Sequence, residues 1–279
     1  MPTPLTVGFD LDLTLVDSME RIISASIRAF RDFGVEVRAE DLRPHLGNLF
    51  INTAATIAPG IDADVMMLRY RHYYDEFDAP RTLPMPGAAE SLRAVRAAGG
   101  RTVVVSAKFT PAVHRALDEA GLTELIDVVY GELFAEDKAT ALIAEGVSIY
   151  VGDHPGDMVA ARVANTFAVG VTTGVNDEPA LYAAGADLAL PSLEMFVTWL
   201  LRHVSEPVQI SNLSDALGTL RDGGGKLLTN PVRVWAANSS DCELAIVGGF
   251  GSVDLPGAPV NPRADPDRAH GQGPVAVGL

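Results

Sequence analysis

Short apolar runs punctuate the chain at residues 5–9, 102–105, 127–130, 148–151 and 167–171, each short enough for a buried strand. Amphipathic stretches of helical length lie between them. Residues 88–98 are closed by Gly99 and Gly100, and residues 111–120 have Thr110 as the expected N-cap and Gly121 as the stop. Alternating strand and helix predicts an α/β fold: a Rossmann-like parallel sheet with helices on both faces.

Residues 18–83 break that rhythm. They offer only helical patterning, at residues 21–33 ended by Gly34 and at residues 64–77, which are rich in Met and aromatic residues. An all-helical insertion after the first strand, returning through Pro84-Met85-Pro86-Gly87, accounts for this. The expected organisation is a catalytic core of residues 1–17 and 84–203, a helical insertion of residues 18–83, and a C-terminal extension of residues 204–279. The extension turns rich in Gly, Pro, Asn and Ser, with a short helix expected at 214–220, short strands at 232–236 and 244–247, and disorder from Pro256 onward.

The chain has 279 residues, of which 48% are hydrophobic, enough to bury a substantial core. A formal charge of −15 disfavours nucleic acid and anionic membrane as partners. The single cysteine, Cys242, cannot form an internal disulfide. Residues 1–10 lack a basic stretch followed by an apolar core, and no stretch reaches about 18 uninterrupted apolar residues, so a cytoplasmic protein is expected. Gly225-Lys226 is no phosphate loop, because the first glycine of that motif is missing and Leu227 replaces its Ser or Thr.

In an open parallel sheet the ligand crevice lies beyond the carboxyl ends of the strands. Asp10 and Asp12 follow the first strand, Ser106 the second and Asp153 the fourth, with Asp157 one helical turn later; Lys138 opens a helix after the third. Carboxylates gathered there repel one another, and a hard divalent cation with oxygen ligands relieves that repulsion. Magnesium held by Asp10, Asp12, Asp153 and Asp157 fits. Ser106, Lys138 and Thr14 are the candidate phosphate-binding residues. Asp10 can attack phosphorus to form an aspartyl-phosphate, and Asp12 can protonate the departing alkoxide and then activate water. Lys108 is the alternative to Lys138. Asp17 and Ser18 are expected to cap the helix that follows, and His154 to sit in a loop beside the metal site.

Asp10-Leu11-Asp12-Leu13-Thr14-Leu15-Val16-Asp17-Ser18 resembles the first motif of the haloacid dehalogenase superfamily. Ser106 after Val103-Val104-Val105, Lys138, and Gly152-Asp153-His154-Pro155-Gly156-Asp157 resemble the second, third and fourth motifs, in order. The resemblance spans residues 3–203, and it is the conjunction of four motifs that makes it specific. It implies that residues 18–83 are a helical cap closing over small substrates, as in phosphoglycolate phosphatases and β-phosphoglucomutases. It implies further that the polar cluster Arg43, His45, Gly47 and Asn48 lies where relatives carry a specificity loop. Asp12 argues against the dehalogenase branch, and the absence of any Lys before Lys108 argues against the phosphonate-cleaving branch. The expected partner is a small phosphorylated metabolite, acted on by a monomer or homodimer. A hexose-phosphate phosphomutase and a non-catalytic phosphate-binding protein remain alternatives. One departure stands out: many relatives have Gly where this chain has Leu13.

Overall fold

The computed structural model describes residues 5–76, 79–204, 233–237, 243–247 and 275–278, in two units, residues 1–200 and 201–279. In chain order the first unit begins with β1 (Thr6–Phe9), β2 (Val16–Asp17), α1 (Met19–Asp32), α2 (Ala39–Leu42), α3 (Phe50–Ile57), α4 (Ala63–Tyr74) and β3 (Leu83–Pro84). It continues through α5 (Ala88–Ala97), β4 (Arg101–Val105), α6 (Thr110–Glu119), β5 (Val128–Tyr130), α7 (Lys138–Ala144), β6 (Ile149–Gly152) and α8 (Pro155–Val163). β7 (Phe167–Val171), α9 (Glu178–Ala183), β8 (Leu188–Leu190) and α10 (Leu193–Val204) follow, with α10 running past the boundary.

Six strands form one sheet in the order β5-β4-β1-β6-β7-β8, every pair parallel, with helices packed around it. Buried strands explain the near-continuous apolar runs, since no face is left for alternation. β1 sits between β4 and β6, so the chain ends leaving these three strands are neighbours. That order brings Asp10, Ser106 and Asp153 together from positions far apart in sequence.

The chain leaves the sheet at β2 and returns at β3, which pair antiparallel through Val16 with Pro84 and Asp17 with Leu83. Between them, residues 18–83 fold into α1–α4 around their own cluster of Ile23, Phe30, Leu42, Phe50 and Met66. Phe50 stacks on Tyr70 at 4.2 Å. Leu13, from the loop after β1, is buried in this same cluster. Its φ of 61° is the left-handed region that disfavours a side chain and that glycine enters freely. The insertion is tied back to the sheet unit by a buried arginine. Arg21 Nη1 donates to both Glu119 oxygens at 2.8 and 2.6 Å, and its Nε donates to the Tyr74 carbonyl.

Several boundaries differ from expectation. β8 went unforeseen because Leu188–Leu190 is only three residues long, and β2 and β3 are shorter still. Thr110 is the first residue of α6 rather than its cap. Phe109 takes the N-cap position, with Pro111 accommodated in the first turn, where a missing N–H costs nothing. In the second unit, β9 (Arg233–Ala237), β10 (Glu243–Val247) and β11 (Val275–Gly278) form an antiparallel sheet in the order β11-β10-β9. The first two match the expected strands closely. The third lies in the stretch expected to be disordered, and the helix expected at 214–220 falls outside the described residues.

Candidate active site

Asp10 stands one residue beyond β1, its N–H donating to the Val151 carbonyl of β6 at 2.8 Å. Its carboxylate is buried, and so are those of Asp153 and Asp157. One oxygen from each lies within 4.8 Å of the others. Lys138, the first residue of α7, reaches into this group. Its Nζ donates to Asp10 Oδ1 and Asp157 Oδ1, both at 2.6 Å, and to the Tyr150 hydroxyl at 3.1 Å, so each of its three protons has an acceptor. Burial pushes the Asp10 carboxyl up to about 7, with Asp157 and Asp12 adding to the rise and the Lys138 ammonium opposing it. Asp153 is raised well above the carboxylate range, first by burial and then by Asp10 and Asp157. Burial alone would lower Lys138, yet Asp10 and Asp157 more than reverse this and hold it protonated.

Three buried carboxylates with one oxygen each within 4.8 Å of the others are a donor set suited to a hard divalent cation, whose charge would return Asp10 and Asp153, raised by burial, to the ionised state. Asp10, Asp153 and Asp157 fit such an ion.

Asp12 is placed differently. Its Oδ1 accepts from Ser18 Oγ at 2.5 Å and lies 2.8 Å from Lys108 Nζ, and its carboxylate is not part of the buried triad. Expected as acid/base and as metal ligand, it has a side chain paired with Ser18 and Lys108 rather than gathered with Asp153 and Asp157. Lys108 is therefore a second buried ammonium beside the site; its Nζ also donates to the Tyr74 hydroxyl at 2.6 Å. Both lysines weighed for one role are present, Lys138 on Asp10 and Asp157 and Lys108 on Asp12.

Ser18 occupies the N-cap position of α1 without making a side-chain cap, because its hydroxyl is committed to Asp12. Thr14, expected to bind phosphate, donates its hydroxyl to Asp153 Oδ1 at 2.9 Å and is fully buried, so it orients that carboxylate. Ser106, expected to bind phosphate, follows β4 directly and lines the cavity. His154 is the N-cap of α8, its Nδ1 accepting from the Gly156 N–H at 3.0 Å, while the Asp157 carboxylate accepts from the His154 N–H. Burial holds that imidazole below its ordinary pKa.

These groups open onto a cavity of about 150 Å³ between the strand ends and the helical insertion. His45, Gly47 and Asn48 line it; Arg43 is exposed and does not, its Nη1 resting 3.2 Å from the Met19 sulfur. Gly47 has a φ of 87°, and a Cβ there would fall 2.6 Å from the His154 ring. Only a residue without a side chain lets this loop come so close to the core.

Sequence reasoning missed three supports. Tyr150 reads as part of an apolar strand, yet its buried hydroxyl accepts from Lys138 and donates to the Val105 carbonyl at 3.0 Å. Gly174, in the loop after β7, lies so close to Asp153 that a Cβ would sit 1.9 Å from its Oδ2. Asn176 Nδ2 donates to the Asp153 carbonyl at 3.4 Å. Polar residues and glycines just after the fifth apolar run were the available signal for the last two.

The sequence profile of the haloacid dehalogenase-like hydrolases matches residues 7–171. The chain is 30% identical over 207 residues to a phosphoglycolate phosphatase of Caulobacter vibrioides, covering 67% of this chain and 86% of that one. It is 26% identical over 209 residues to a phosphoglycolate phosphatase of Vibrio parahaemolyticus, covering 67% and 92%. With the pyrophosphatase PpaX of Listeria monocytogenes it shares 28% over 183 residues, covering 61% and 84%. In fold it is similar to a haloacid dehalogenase-like family hydrolase from Streptococcus pneumoniae, with a TM-score of 0.63 at 21% identity over 71% of this chain and 99% of that one. Four motifs converging on one cavity, the matched profile and these relatives agree: the chain belongs to the haloacid dehalogenase-like hydrolase family, as an enzyme of phosphatase type.

Proposed function

We propose that the chain hydrolyses a small phosphomonoester, phosphoglycolate-like in type, through an aspartyl-phosphate on Asp10, with magnesium at Asp10, Asp153 and Asp157. The observation that carries this reading is the division of the carboxylates. Asp10 lies in the buried group with Lys138, while Asp12 is held apart by Ser18 and Lys108. A nucleophile and an acid/base must be separate groups, and these are. The phosphoglycolate phosphatase relatives support the substrate type, and a cavity of about 150 Å³, below the roughly 300–1,000 Å³ of drug-sized sites, suits a small ester.

Asp10 attacks phosphorus, forming the P–O bond of the aspartyl-phosphate as the bond to the substrate alkoxide breaks. Asp12 gives its proton to that alkoxide. Water then attacks phosphorus, Asp12 takes its proton, and cleavage of the acyl-phosphate releases inorganic phosphate and restores Asp10. Lys138 and Ser106 face the phosphoryl oxygens, and the helical insertion serves as a cap excluding bulk water. Bound at the triad, magnesium supplies the positive charge that offsets the carboxylates as the phosphate dianion enters.

The test is phosphate release from a panel of small phosphomonoesters and hexose phosphates, with magnesium present and then chelated. Metal-dependent release that Asp10→Asn abolishes is expected. Full activity in Asp10→Asn refutes the mechanism, and faster isomerisation than hydrolysis of a hexose phosphate replaces the phosphatase with a mutase.

A further inference from the structure

The cavity is lined by three lysine or arginine residues, and two of them are spent. Lys138 is bound by Asp10, Asp157 and Tyr150, and Lys108 by Asp12 and Tyr74. The third, Arg71 in the last turn of α4, has neither an ion pair nor a side-chain hydrogen bond among the described residues. Its side chain lies over the Phe109 ring, whose centroid is 4.8 Å from the guanidinium carbon. Stacking occupies the face of a guanidinium and leaves its in-plane N–H groups available. Phe109 is three residues beyond Ser106, and Tyr74, one turn after Arg71, grips Lys108, so α4 sets this guanidinium against the loop that follows β4. The nearby carboxylate on the same helix turn, Asp75, is neutralised by Arg115 at 2.5 Å rather than by Arg71.

We infer that Arg71 recognises a second anionic group on the substrate, an oxyanion at the end remote from the phosphoryl group that Asp10 attacks. The fork of N–H donors matches a carboxylate or phosphate bidentately, and a cavity with an arginine in its wall rewards a substrate that brings the missing acceptor. Five lining carboxylates, Asp10, Asp12, Asp75, Asp153 and Asp157, would otherwise discourage such a charge, so the free arginine is what makes a doubly anionic substrate acceptable here. The role is one of specificity: Arg71 acts on the end that does not react. This inference rests on the phosphatase reading above.

The experiment compares phosphoglycolate (carboxylate end), pyrophosphate (phosphate end) and ethyl phosphate (neutral end) as substrates of the full chain, wild type, Arg71→Gln and Arg71→Lys. In wild type the anion-ended compounds are expected to be preferred. In Arg71→Gln the ratio of their kcat/KM to that of ethyl phosphate should fall by about 10- to 100-fold, mainly through KM, with partial recovery in Arg71→Lys. Whichever of the two anionic compounds loses more identifies the group that is read. A parallel fall for ethyl phosphate, an unchanged ratio, or a wild type that prefers ethyl phosphate overturns the inference. If wild type releases phosphate from none of them, the phosphatase reading fails separately, and calorimetric binding of phosphoglycolate decides: weakening by tenfold or more in Arg71→Gln sustains the anchor, whereas equal affinity or no binding to wild type overturns it.

Discussion

Replacing Leu13 tests whether its left-handed backbone is strained and what its side chain contributes. At an ordinary loop position Ala is favoured over Gly by about 0.4–1 kcal/mol, because glycine leaves the unfolded chain more freedom to lose. At a φ of 61° that order should reverse. A residue with a Cβ costs about 1–2 kcal/mol in the left-handed region, and glycine does not. Both replacements lose the buried side chain, which is 2% exposed in the cluster with Ile23, Phe30 and Met66, and truncation there costs about 3–5 kcal/mol. Leu13→Ala should therefore be the least stable form. Leu13→Gly should lie about 1 kcal/mol above it, still about 2–4 kcal/mol below wild type. Urea unfolding followed by far-ultraviolet circular dichroism would rank the three proteins. An alanine variant as stable as the glycine variant, or more so, refutes the account of strain.

Two further outcomes are expected. Gly174→Ala drives a methyl into Asp153 Oδ2, so the magnesium concentration giving half-maximal activity, or calorimetric magnesium binding, should worsen at least about tenfold; an unchanged value would show that Asp153 moves without consequence. Burial pushes the Glu119 carboxyl up, but the Thr82 N–H and Arg21 outweigh it and hold the group below its usual range. Its stabilisation is therefore complete above the unfolded-state pKa and lost as pH falls through the lower folded value. The thermal midpoint of Glu119→Gln should lie below that of wild type near neutral pH and converge with it below about pH 4; a constant gap would refute the linkage.

The chemistry-bearing residues were legible where local pattern and topology coincide. An apolar run ending abruptly at Asp10, Ser106 or Asp153 marks the carboxyl end of a buried strand, and sheet order then makes those ends neighbours. Lys138 was legible because a helix begins there. The hydrogen-bond partners of individual side chains were not. Nothing near Thr14 indicates that its hydroxyl is taken by Asp153, nor does anything near Ser18 indicate that Asp12 claims its own. Tyr150 was hidden by its ring, which belongs to the core while its hydroxyl belongs to the site. Arg71 was missed because helical spacing says which face a residue occupies, but not which arginines find carboxylates.

The close approach of Gly47 to His154 bears on how this architecture can be rebuilt. Both positions line the cavity, one in the insertion and one next to Asp153, and they pack so closely that there is no room between them for a methyl group. They cannot vary independently. Transplanting residues 18–83 onto the sheet of another family member, or exchanging only the segment around Asp153, would have to carry both positions together; a graft that kept His154 but brought a side chain at position 47 would hold the two halves apart where the substrate must be enclosed.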